Sequence, residues 1–403
     1  MDLNELTERC LERARENLLQ YDMNDDEAME MIIRVFFEEE EARDIPMDEA
    51  DMMIRRIFFK TRGKLGILDP LVSDEDVNEI MVNGKDDIFY EKNGEVKRYE
   101  MTFDTTEELE EVIRNIAAGV NREINEMNPI VDARLEDGSR INGVYKNVAV
   151  NGPILTIRKF SDRFMDMEDL VGNGTLTEEE SEFLKALVAC GYNLFISGGT
   201  SSGKTTLLNA LSAAVPEKER VIVIEDSMEL KLRHIENIVH MECRNANSSG
   251  KGMITMADLI KASLRMRPDR IIVGEVRGAE VQDMLQAMNT GHPGSMSTGH
   301  GNSALGMLKR LESMYLMAVS LNIDAIREQI SEGIDVMIHV ERDRHGKRFI
   351  SEMKEITGYD GGRFLMNDLM AGHGLKDLGR AETGGERYAE ILRRGPGCRS
   401  DSR

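Results

Sequence analysis

The residues from 198 to 205 have the types and the spacing of a phosphate-binding loop. They read Gly-Gly-Thr-Ser-Ser-Gly-Lys-Thr, which fits the pattern G-x-x-x-x-G-K-[ST]. Glycines let backbone N–H groups turn toward a phosphate, and the N-terminus of the following helix adds partial positive charge. We expect Lys204 to reach the β- and γ-phosphates of a nucleotide and the Thr205 hydroxyl to bind Mg²⁺. An apolar strand over 194–197 and a helix from 205 to about 214 flank the loop, as this chemistry requires.

Two other apolar runs end in carboxylates. Residues 221–224 are followed by Glu225 and Asp226, and residues 271–274 are followed by Glu275. In a parallel sheet, ligands lie beyond the carboxyl ends of the strands, so these acids are expected at the same edge as the phosphate loop. Hydrolysis of a nucleotide needs an acid that holds the metal and a group that orients water. We therefore predict that at least one of the two glutamates is catalytic, the alternative being an ordinary carboxylate at a strand end.

The loop over 290–300 contains two histidines among Gly, Ser and Thr residues. His292 and His300 could sense a γ-phosphate or polarise water. Metal binding by them is less favoured, because no helical motif of carboxylate and histidine accompanies them. A structural role for each histidine is the alternative.

Three arginines, Arg134, Arg140 and Arg158, precede the segment that carries the loop. An arginine delivered across an interface can stabilise the charge on a phosphoryl group during its transfer. The alternative is a surface ion pair, which contributes little to stability. The residue types alone do not decide between these two roles.

The elements around these residues divide the chain into five segments. Apolar residues at helical spacing and a capping box at Asn24 predict a small helical bundle. Asn93-Gly94 predicts a hairpin, and a helix over 105–119 completes an α+β domain. Short apolar strands between helices predict a mostly parallel sheet that is covered on both faces. The predicted segments are an acidic bundle (1–62), an α+β domain (67–160), a linker (161–177), an α/β nucleotide-binding domain (178–376) and a flexible tail (377–403), with a short linker at 61–70.

The composition disfavours several classes of protein. The chain has 403 residues, with 51 Lys and Arg against 74 Asp and Glu, so its net charge is −23. It has no run of the ~18–20 apolar residues that a membrane span needs and no secretory signal, so we expect a cytoplasmic protein. The excess of acids speaks against nucleic-acid binding, which normally uses a basic stripe. The four cysteines are not spaced as zinc ligands or as a disulfide framework.

Several strings follow one another in the order of a known family. They are residues 198–206, Ile224-Glu225-Asp226, the segment LRMRPDRIIVGEVRG over 264–278, Asp-Ala-Arg-Leu over 132–135 and Asp-Gly-Ser-Arg-Ile-Asn over 137–142. With these motifs the sequence resembles the type II/IV secretion-system ATPases. Within them it resembles the CpaF/TadA-type ATPases of Flp (tight-adherence) pilus assembly. The resemblance covers roughly residues 65–365.

The resemblance implies an α/β fold with a RecA-like P-loop NTPase core, an α+β N-terminal domain and a small N-terminal helical bundle. It implies that Glu225 orients or deprotonates water, and that Glu275 is the Walker B acid that holds Mg²⁺ together with Thr205. It also implies that His300, joined by His292, forms a His box. The residues that it assigns to the binding of ATP are Gly198, Gly199, Thr200, Ser201, Ser202, Gly203, Lys204, Thr205 and Thr206, with Arg134, Arg140 and Arg158 approaching as two domains close.

The resemblance further implies a cytoplasmic homohexameric ring, peripherally associated with the inner membrane, that hydrolyses ATP to drive an inner-membrane platform protein. Membrane contact would be indirect, through partners, and no nucleic acid is expected. The sequence departs from the family in the His box, where Gly301 follows His300 in place of the usual alanine. A nucleic-acid-translocating ATPase and a nucleotide-gated scaffold that does not hydrolyse ATP are the alternatives.

Overall fold

The computed structural model describes residues 3–369, apart from residues 22, 121, 136, 161–164, 245 and 247–250. Contacts divide the chain into two units, Met1–Ser161 and Asp162–Arg403. The tail predicted over 377–403 lies outside the described residues. In the described part of the chain, no helix is both long and apolar enough to cross a membrane.

Three helices form a bundle at the start of the first unit. They are α1 (Leu3–Gln20), α2 (Asp25–Glu38) and α3 (Met47–Arg62), with a short 3-10 turn over Glu40–Asp44. The Asn24 side chain accepts from the Glu27 N–H, and the Glu27 side chain accepts from the Asn24 N–H, so the predicted capping box is confirmed. The apolar side chains at helical spacing face one another, and the buried ones include Cys10, Ala14, Ile32, Phe36 and Ile57.

The rest of the first unit is a six-stranded antiparallel sheet with one long helix. After α4 (Asp69–Ser73) come β1 (Val77–Asn83), β2 (Ile88–Lys92), β3 (Glu95–Arg98), α5 (Thr106–Gly119), β4 (Ile130–Arg134), β5 (Arg140–Val144) and β6 (Ile154–Arg158), and the strands lie in the order β3-β2-β1-β6-β5-β4. Leu109, Ile113 and Ile116 of α5 are buried in the core that the sheet also lines. The hairpin at Asn93-Gly94 and the helix over 105–119 are confirmed.

The prediction of a linker over 61–70 is wrong. The end of α3, a 3-10 turn over Gly66–Leu68 and the start of α4 together occupy most of this stretch. Ile67 and Leu68 are fully buried in the core of the α+β domain. The glycines and the proline of this stretch shape a folded connection, because its apolar side chains have a core to enter.

The bundle is joined to the α+β domain by ionic contacts at the start of α5. Lys60 Nζ lies 3.0 Å from Glu108 Oε1 and also contacts the Asp104 carboxylate. Arg56 reaches the same carboxylate, and its Nη2 donates to the Thr102 carbonyl at 3.0 Å. Since the Lys60 side chain is only 6% exposed, this junction is largely shielded from water.

The second unit is built on an eight-stranded sheet. Its strands are β7 (Leu194–Gly198), β8 (Val221–Glu225), β9 (Ile238–Glu242), β10 (Arg270–Val276), β11 (Met296–His300), β12 (Val336–Arg342), β13 (Arg348–Asp360) and β14 (Arg363–Asp368). They lie in the order β14-β13-β12-β7-β11-β10-β8-β9. The six strands from β12 to β9 run parallel, which confirms the prediction of a mostly parallel sheet, whereas β13 and β14 add an antiparallel edge that was not predicted.

Helices cover both faces of this sheet, as predicted. One face carries α6 (Met167–Gly172), α7 (Glu178–Ala189) and α8 (Lys204–Ser212), and the other carries α9 (Met256–Ser263), α10 (Val281–Asn289), α11 (Ala304–Ala318) and α12 (Ile323–Gly333). Successive strand residues point to opposite faces, so Ile196 joins the first core and Phe195 joins the second.

Helix α6 lies inside the stretch 161–177 that was predicted as a linker. Asp166 caps it with a capping box, and Met167 and Leu170 are buried in the core of the second unit. The linker prediction is therefore wrong for α6, while residues 161–164 lie outside the described residues.

Candidate active site

The loop between β7 and α8 has the backbone of a phosphate cradle. Gly203 has a φ of 96°, a left-handed conformation that glycine adopts without strain, and it leads directly into α8. A Cβ atom on Gly198 would lie 2.3 Å from the Val340 carbonyl oxygen, so only glycine fits where β7 ends beside β12. Helix α8 ends at Ser212, two residues before the predicted end. The geometry thus explains the glycines at both ends of the pattern.

Lys204 lies over this loop. Its Nζ donates to the Gly199 carbonyl at 2.7 Å and lies 3.3 Å from His300 Nδ1, and only 7% of the residue is exposed. Thr205 and Thr206 follow in the first turn of α8 and are half-buried. The ammonium group and the N–H groups of a helix N-terminus together create a positive potential that suits a phosphate.

The register of the parallel strands brings the predicted groups to one rim of the sheet. Gly198 at the end of β7 pairs with His300 at the end of β11. On the other side of β11, β10 and β8 run parallel and in register, so Glu275 and Glu225 lie toward the same rim. The structure therefore places the loop, both glutamates and His300 at the carboxyl ends of the strands, where open α/β sheets bind ligands.

His300 connects Lys204 with Glu275. Because an ammonium can only donate, Nδ1 of His300 accepts from Lys204 and the ring proton lies on Nε2, which is 2.8 Å from Glu275 Oε1. Burial and the charge of Lys204 lower the pKa of His300 below its usual value, although Glu275 acts in the opposite direction. His300 is therefore neutral at pH 7 and presents one N–H to the rim.

Glu275 is held through one of its two carboxylate oxygens. Its Oε2 accepts from Arg277 Nη2 at 2.7 Å and from Arg277 Nε at 3.1 Å. Its Oε1 is buried and takes no aligned hydrogen bond from the described residues, despite its closeness to His300. A buried carboxylate oxygen without a donor is unfavourable, so this atom is a natural ligand for a cation or for an ordered water.

This oxygen fits the predicted Mg²⁺ site. Mg²⁺ usually keeps several waters and takes one or two carboxylates together with substrate phosphates. Among the described residues, no group of three or more His, Cys, Asp or Glu side chains could hold a metal ion by itself. Glu275 Oε1 and the Thr205 hydroxyl would hold the ion at this rim.

Glu225 is a buried acid with a strongly shifted pKa. Only 4% of the residue is exposed, and burial raises its pKa to about 7, although the N–H groups of Glu229 and Leu230 donate to its Oε1 at 2.9 and 3.1 Å and oppose the shift. Its side chain packs against Gly274, where a Cβ atom would lie 2.9 Å from Glu225 Cγ. A carboxylate that titrates near neutrality suits a general base.

The prediction that His292 joins His300 is wrong. His292 precedes β11, at the amino rim of the sheet, and its Nδ1 donates to the Ala287 carbonyl at the end of α10 at 3.0 Å. His300 lies at the opposite end of the strand, which is about 13 Å long at 3.3 Å per residue. His292 therefore has a structural role.

The three predicted arginines of the first unit form one row. Arg134 at the end of β4 pairs with Arg140 of β5, and Arg140 pairs in turn with Arg158 of β6. Residues directly opposite each other on antiparallel strands share a face, and like charges in such positions destabilise a sheet. The three cations lie side by side in register, and Arg134 Nε also donates to the Gly138 carbonyl at 3.3 Å. Their contact with ATP stays a prediction.

The sequence matches the family described as "Type II/IV secretion system protein" over residues 62–357. The chain belongs to this family. The matched stretch includes both predicted glutamates, His300 and the whole phosphate loop.

Three relatives extend the match along most of the secretion-family chain. A putative conjugal transfer protein of Mycobacterium tuberculosis (strain CDC 1551 / Oshkosh) is 32% identical over 318 residues, which are 77% of this chain and 90% of the relative. The conjugal transfer protein TrbB of Rhizobium radiobacter is 35% identical over 312 residues, 75% of this chain and 91% of the relative. The type IV secretion system protein PtlH of Bordetella pertussis is 32% identical over 302 residues, 69% and 89% of the two chains. The narrower CpaF/TadA subtype stays a prediction.

Solved structures agree with the fold of this family member. The ATPase DotB of Legionella pneumophila is similar with a TM-score of 0.51 at 19% identity, covering 82% of this chain and 88% of that one. The ATPase DotB of Yersinia pseudotuberculosis is similar with a TM-score of 0.52 at 17% identity, covering 82% and 84%. At these identities the likeness concerns the fold, and the predicted RecA-like ATPase fold is confirmed.

Three residues at the rim of this secretion-family protein were missed from the sequence. Arg277 lies two residues after Glu275 in extended chain, and that spacing, which puts both side chains on one face, could have revealed it. His339 on β12 contacts Ser197, immediately before the phosphate loop, and Arg348 on β13 contacts Ser201 within the loop. No local pattern connects either residue with a loop some 140 positions earlier in the chain.

Proposed function

We propose that this protein is an ATP-hydrolysing motor of a type II/IV secretion or Flp-type pilus system. The observation that carries the proposal is the continuous contact Lys204–His300–Glu275 beside the phosphate loop. Through His300, this contact connects Lys204, which would bind phosphate, with Glu275, which could coordinate a metal ion. The family membership supports the same function.

In the proposed reaction the loop over 198–206 binds the triphosphate of ATP, and Lys204 exchanges its bond to the Gly199 carbonyl for the β- and γ-phosphates. Glu275 and Thr205 would hold Mg²⁺, which would neutralise charge on the phosphates. Glu225 orients the attacking water or takes its proton.

His300 has a separate place in this proposal. Its Nε2 lies 2.8 Å from Glu275 Oε1, and in this proposal its N–H donates to a γ-phosphate oxygen or to the attacking water. Because its pKa is lowered, it stays neutral and does not compete with Lys204 for the phosphate charge. The row of Arg134, Arg140 and Arg158 would supply further positive charge to the nucleotide as the two domains close.

We also propose that the motor works as a homohexameric ring at the cytoplasmic face of the inner membrane. Its contact with the membrane would be indirect, through a platform protein, with the acidic bundle over 1–62 as the docking segment. The name of the relative PtlH, a type IV secretion system protein, supports a role within a membrane-bound assembly.

Measurement of ATP turnover tests the proposed activity. We expect Lys204→Ala and Glu275→Gln each to lower the turnover number by about 10²–10³-fold, because each removes a charged group that acts on the transferring phosphoryl group. The matched controls are Lys354→Ala, on β13 and paired with Asp368, and Glu328→Gln, an exposed acid on α12. Controls should retain full turnover. Undiminished turnover in Lys204→Ala or Glu275→Gln would remove the role proposed for that residue.

A second candidate function has support from two relatives that are named conjugal transfer proteins. In this alternative the motor acts on DNA directly. The net charge of −23 disfavours it, because DNA-tracking proteins normally present a basic surface. Single-stranded DNA that binds in a salt-dependent way and accelerates hydrolysis would establish this alternative, whereas nucleotide binding without any phosphate release would favour a gated scaffold.

A further inference from the structure

The hairpin of β12 and β13 lies beside the phosphate loop and contacts it from outside the ATP-binding motif. Strand β12 runs parallel to β7, so His339 lies opposite Ser197 and Val340 lies opposite Gly198. The return strand begins at Arg348, which pairs with Arg342, two positions beyond Val340. The start of β13 therefore stands at the level of the loop itself.

The lower contact of the hairpin is buried. His339 Nδ1 lies 2.7 Å from Ser197 Oγ, and both residues are almost completely enclosed. Ser197 Oγ also donates to the Ile338 carbonyl at 3.3 Å. This polar pair fixes the residue that immediately precedes the loop.

The upper contact is made by Arg348. Its Nε donates to the Ser201 carbonyl at 3.1 Å. Ser201 has a φ of 57°, the left-handed conformation that costs energy for every residue with a Cβ atom. A hydrogen bond to the carbonyl of that same residue stabilises the conformation, and with it the direction of the neighbouring N–H groups.

The course of β13 brings Arg348 to this position. A β-bulge interrupts the pairing between His339 and Val340, where Ser351 is the additional residue. A bulge changes the alternation of the side chains on its two sides, so it sets which face Arg348 occupies, and bulges are frequent beside active sites. The aliphatic part of Arg348 then lies against the loop, since its Cδ would be 3.1 Å from a Cβ atom on Gly203.

We propose that Arg348 is a positioning residue for the phosphate loop, which it holds in its binding conformation through the Ser201 carbonyl. The proposal rests on the proposed function, because it concerns the same nucleotide site. In this proposal the hydrogen bond acts on the loop equally before and during the reaction. Its loss therefore weakens the binding of ATP and leaves the turnover number nearly unchanged.

Three substitutions of Arg348 separate its hydrogen bond from its charge. Glutamine carries an N–H donor at the same number of bonds from the backbone as Nε but has no charge, methionine has a similar length and no donor, and lysine keeps the charge with the donor displaced. We expect R348M to raise the dissociation constant of MgATP by about three- to tenfold, as the loss of one hydrogen bond does. R348Q should stay within about twofold of the unchanged protein.

The control variant is Lys354→Met on the same strand, whose Nζ pairs with Asp368 and not with the loop. It should bind MgATP normally. If R348Q is as weak as R348M while R348K is normal, the charge of Arg348 and not its hydrogen bond matters, and the proposal is overturned. Normal binding by all three variants overturns it as well.

Hydrogen exchange of the protein without nucleotide provides a readout that does not depend on activity. R348M should increase the exchange rate of the amides over 198–206, and R348Q should restore the slow rate. If the unchanged protein fails to hydrolyse ATP, the proposed function fails while this measurement still decides the role of Arg348. Exchange rates that are the same in R348M and in the unchanged protein contradict it.

Discussion

The two ends of β10 differ in how their charged side chains are satisfied. Arg270 begins the strand and is fully buried, where its Nε donates to Glu219 Oε2 at 2.7 Å and its Nη1 donates to the Val188 carbonyl at 2.9 Å. Glu275 lies near the end of the strand, and its Oε1 takes no aligned hydrogen bond from the described residues. One strand thus carries a fully hydrogen-bonded arginine at its amino end and a glutamate with only one hydrogen-bonded oxygen near its carboxyl end.

The same contrast holds for the neighbouring strands. At the amino rim, His292 is bonded to a backbone carbonyl, and Gly294 leaves space for the Arg270 guanidinium, which would lie 2.5 Å from a Cβ atom there. At the carboxyl rim, Glu225 and His300 both have shifted pKa values. Shifted pKa values are typical of functional sites, so the amino rim is the stabilised end of the sheet and the carboxyl rim is its candidate functional site.

The largest effect is expected from removing the buried ion pair of Arg270 and Glu219 at the amino rim. Arg270→Met leaves the Glu219 carboxylate buried without its arginine, so we expect the free energy of unfolding to fall by about 3–5 kcal/mol. Denaturant unfolding measures this change. The control is Arg265→Met at an exposed position just before the strand. A loss below about 1 kcal/mol, the size expected of a surface ion pair, would contradict the stabilising role of this rim.

A smaller effect, confined to the carboxyl rim, is expected from Gly274→Ala. The added Cβ atom would lie 2.9 Å from Glu225 Cγ and would displace the carboxyl group. We expect the turnover number to fall by about ten- to a hundredfold, because small displacements of a catalytic group are costly. Gly119→Ala, at a position with open space around the Cβ atom, is the control. Partial recovery in the double variant Gly274→Ala/Glu225→Asp, whose acid is shorter, would show that crowding is the cause.

The smallest effect is a dependence on pH. Since burial raises the pKa of Glu225 to about 7, its carboxylate forms as pH rises, and turnover should increase by about tenfold between pH 6 and pH 8. Glu225→Gln should remove this dependence along with most of the activity. A profile of the unchanged protein that is flat over this range would argue against Glu225 as the base.

The free energy of unfolding should change in the opposite direction, because deprotonation of Glu225 lowers it as pH rises. The folded protein binds the Glu225 proton more tightly than the unfolded chain, in which the pKa of a glutamate is near 4.5. The stabilisation from this group is therefore complete below that pH and is lost as pH rises through about 7. The Glu225 carboxylate therefore forms over the pH range in which this group contributes less to folding.

The parts of the site that were predictable are those whose geometry is local. The phosphate loop is specified by eight consecutive residues, and Glu225 and Glu275 were found because each ends an apolar strand. The error at His292 has a local cause too, because a histidine eight residues before another falls at the opposite end of a short strand.

Other features depend on pairing between distant segments. The row of Arg134, Arg140 and Arg158 exists only because three strands align in register, which no single stretch of sequence specifies. The stretch 61–70 resembles a linker by its glycines and proline, yet Ile67 enters a core that other segments build. The contact of Arg348 with Ser201 belongs to the same class.

The junction of Lys60 and Arg56 with the start of α5 has a mechanical consequence. A force that a partner applies to the bundle would pass through these shielded ionic contacts into the six-stranded sheet. A slack tether of the same length would stretch and absorb the force, as flexible linkers do. Because the bundle is attached to the sheet domain in this way, a pulling force on the bundle would be transmitted to the sheet that contains the arginine row.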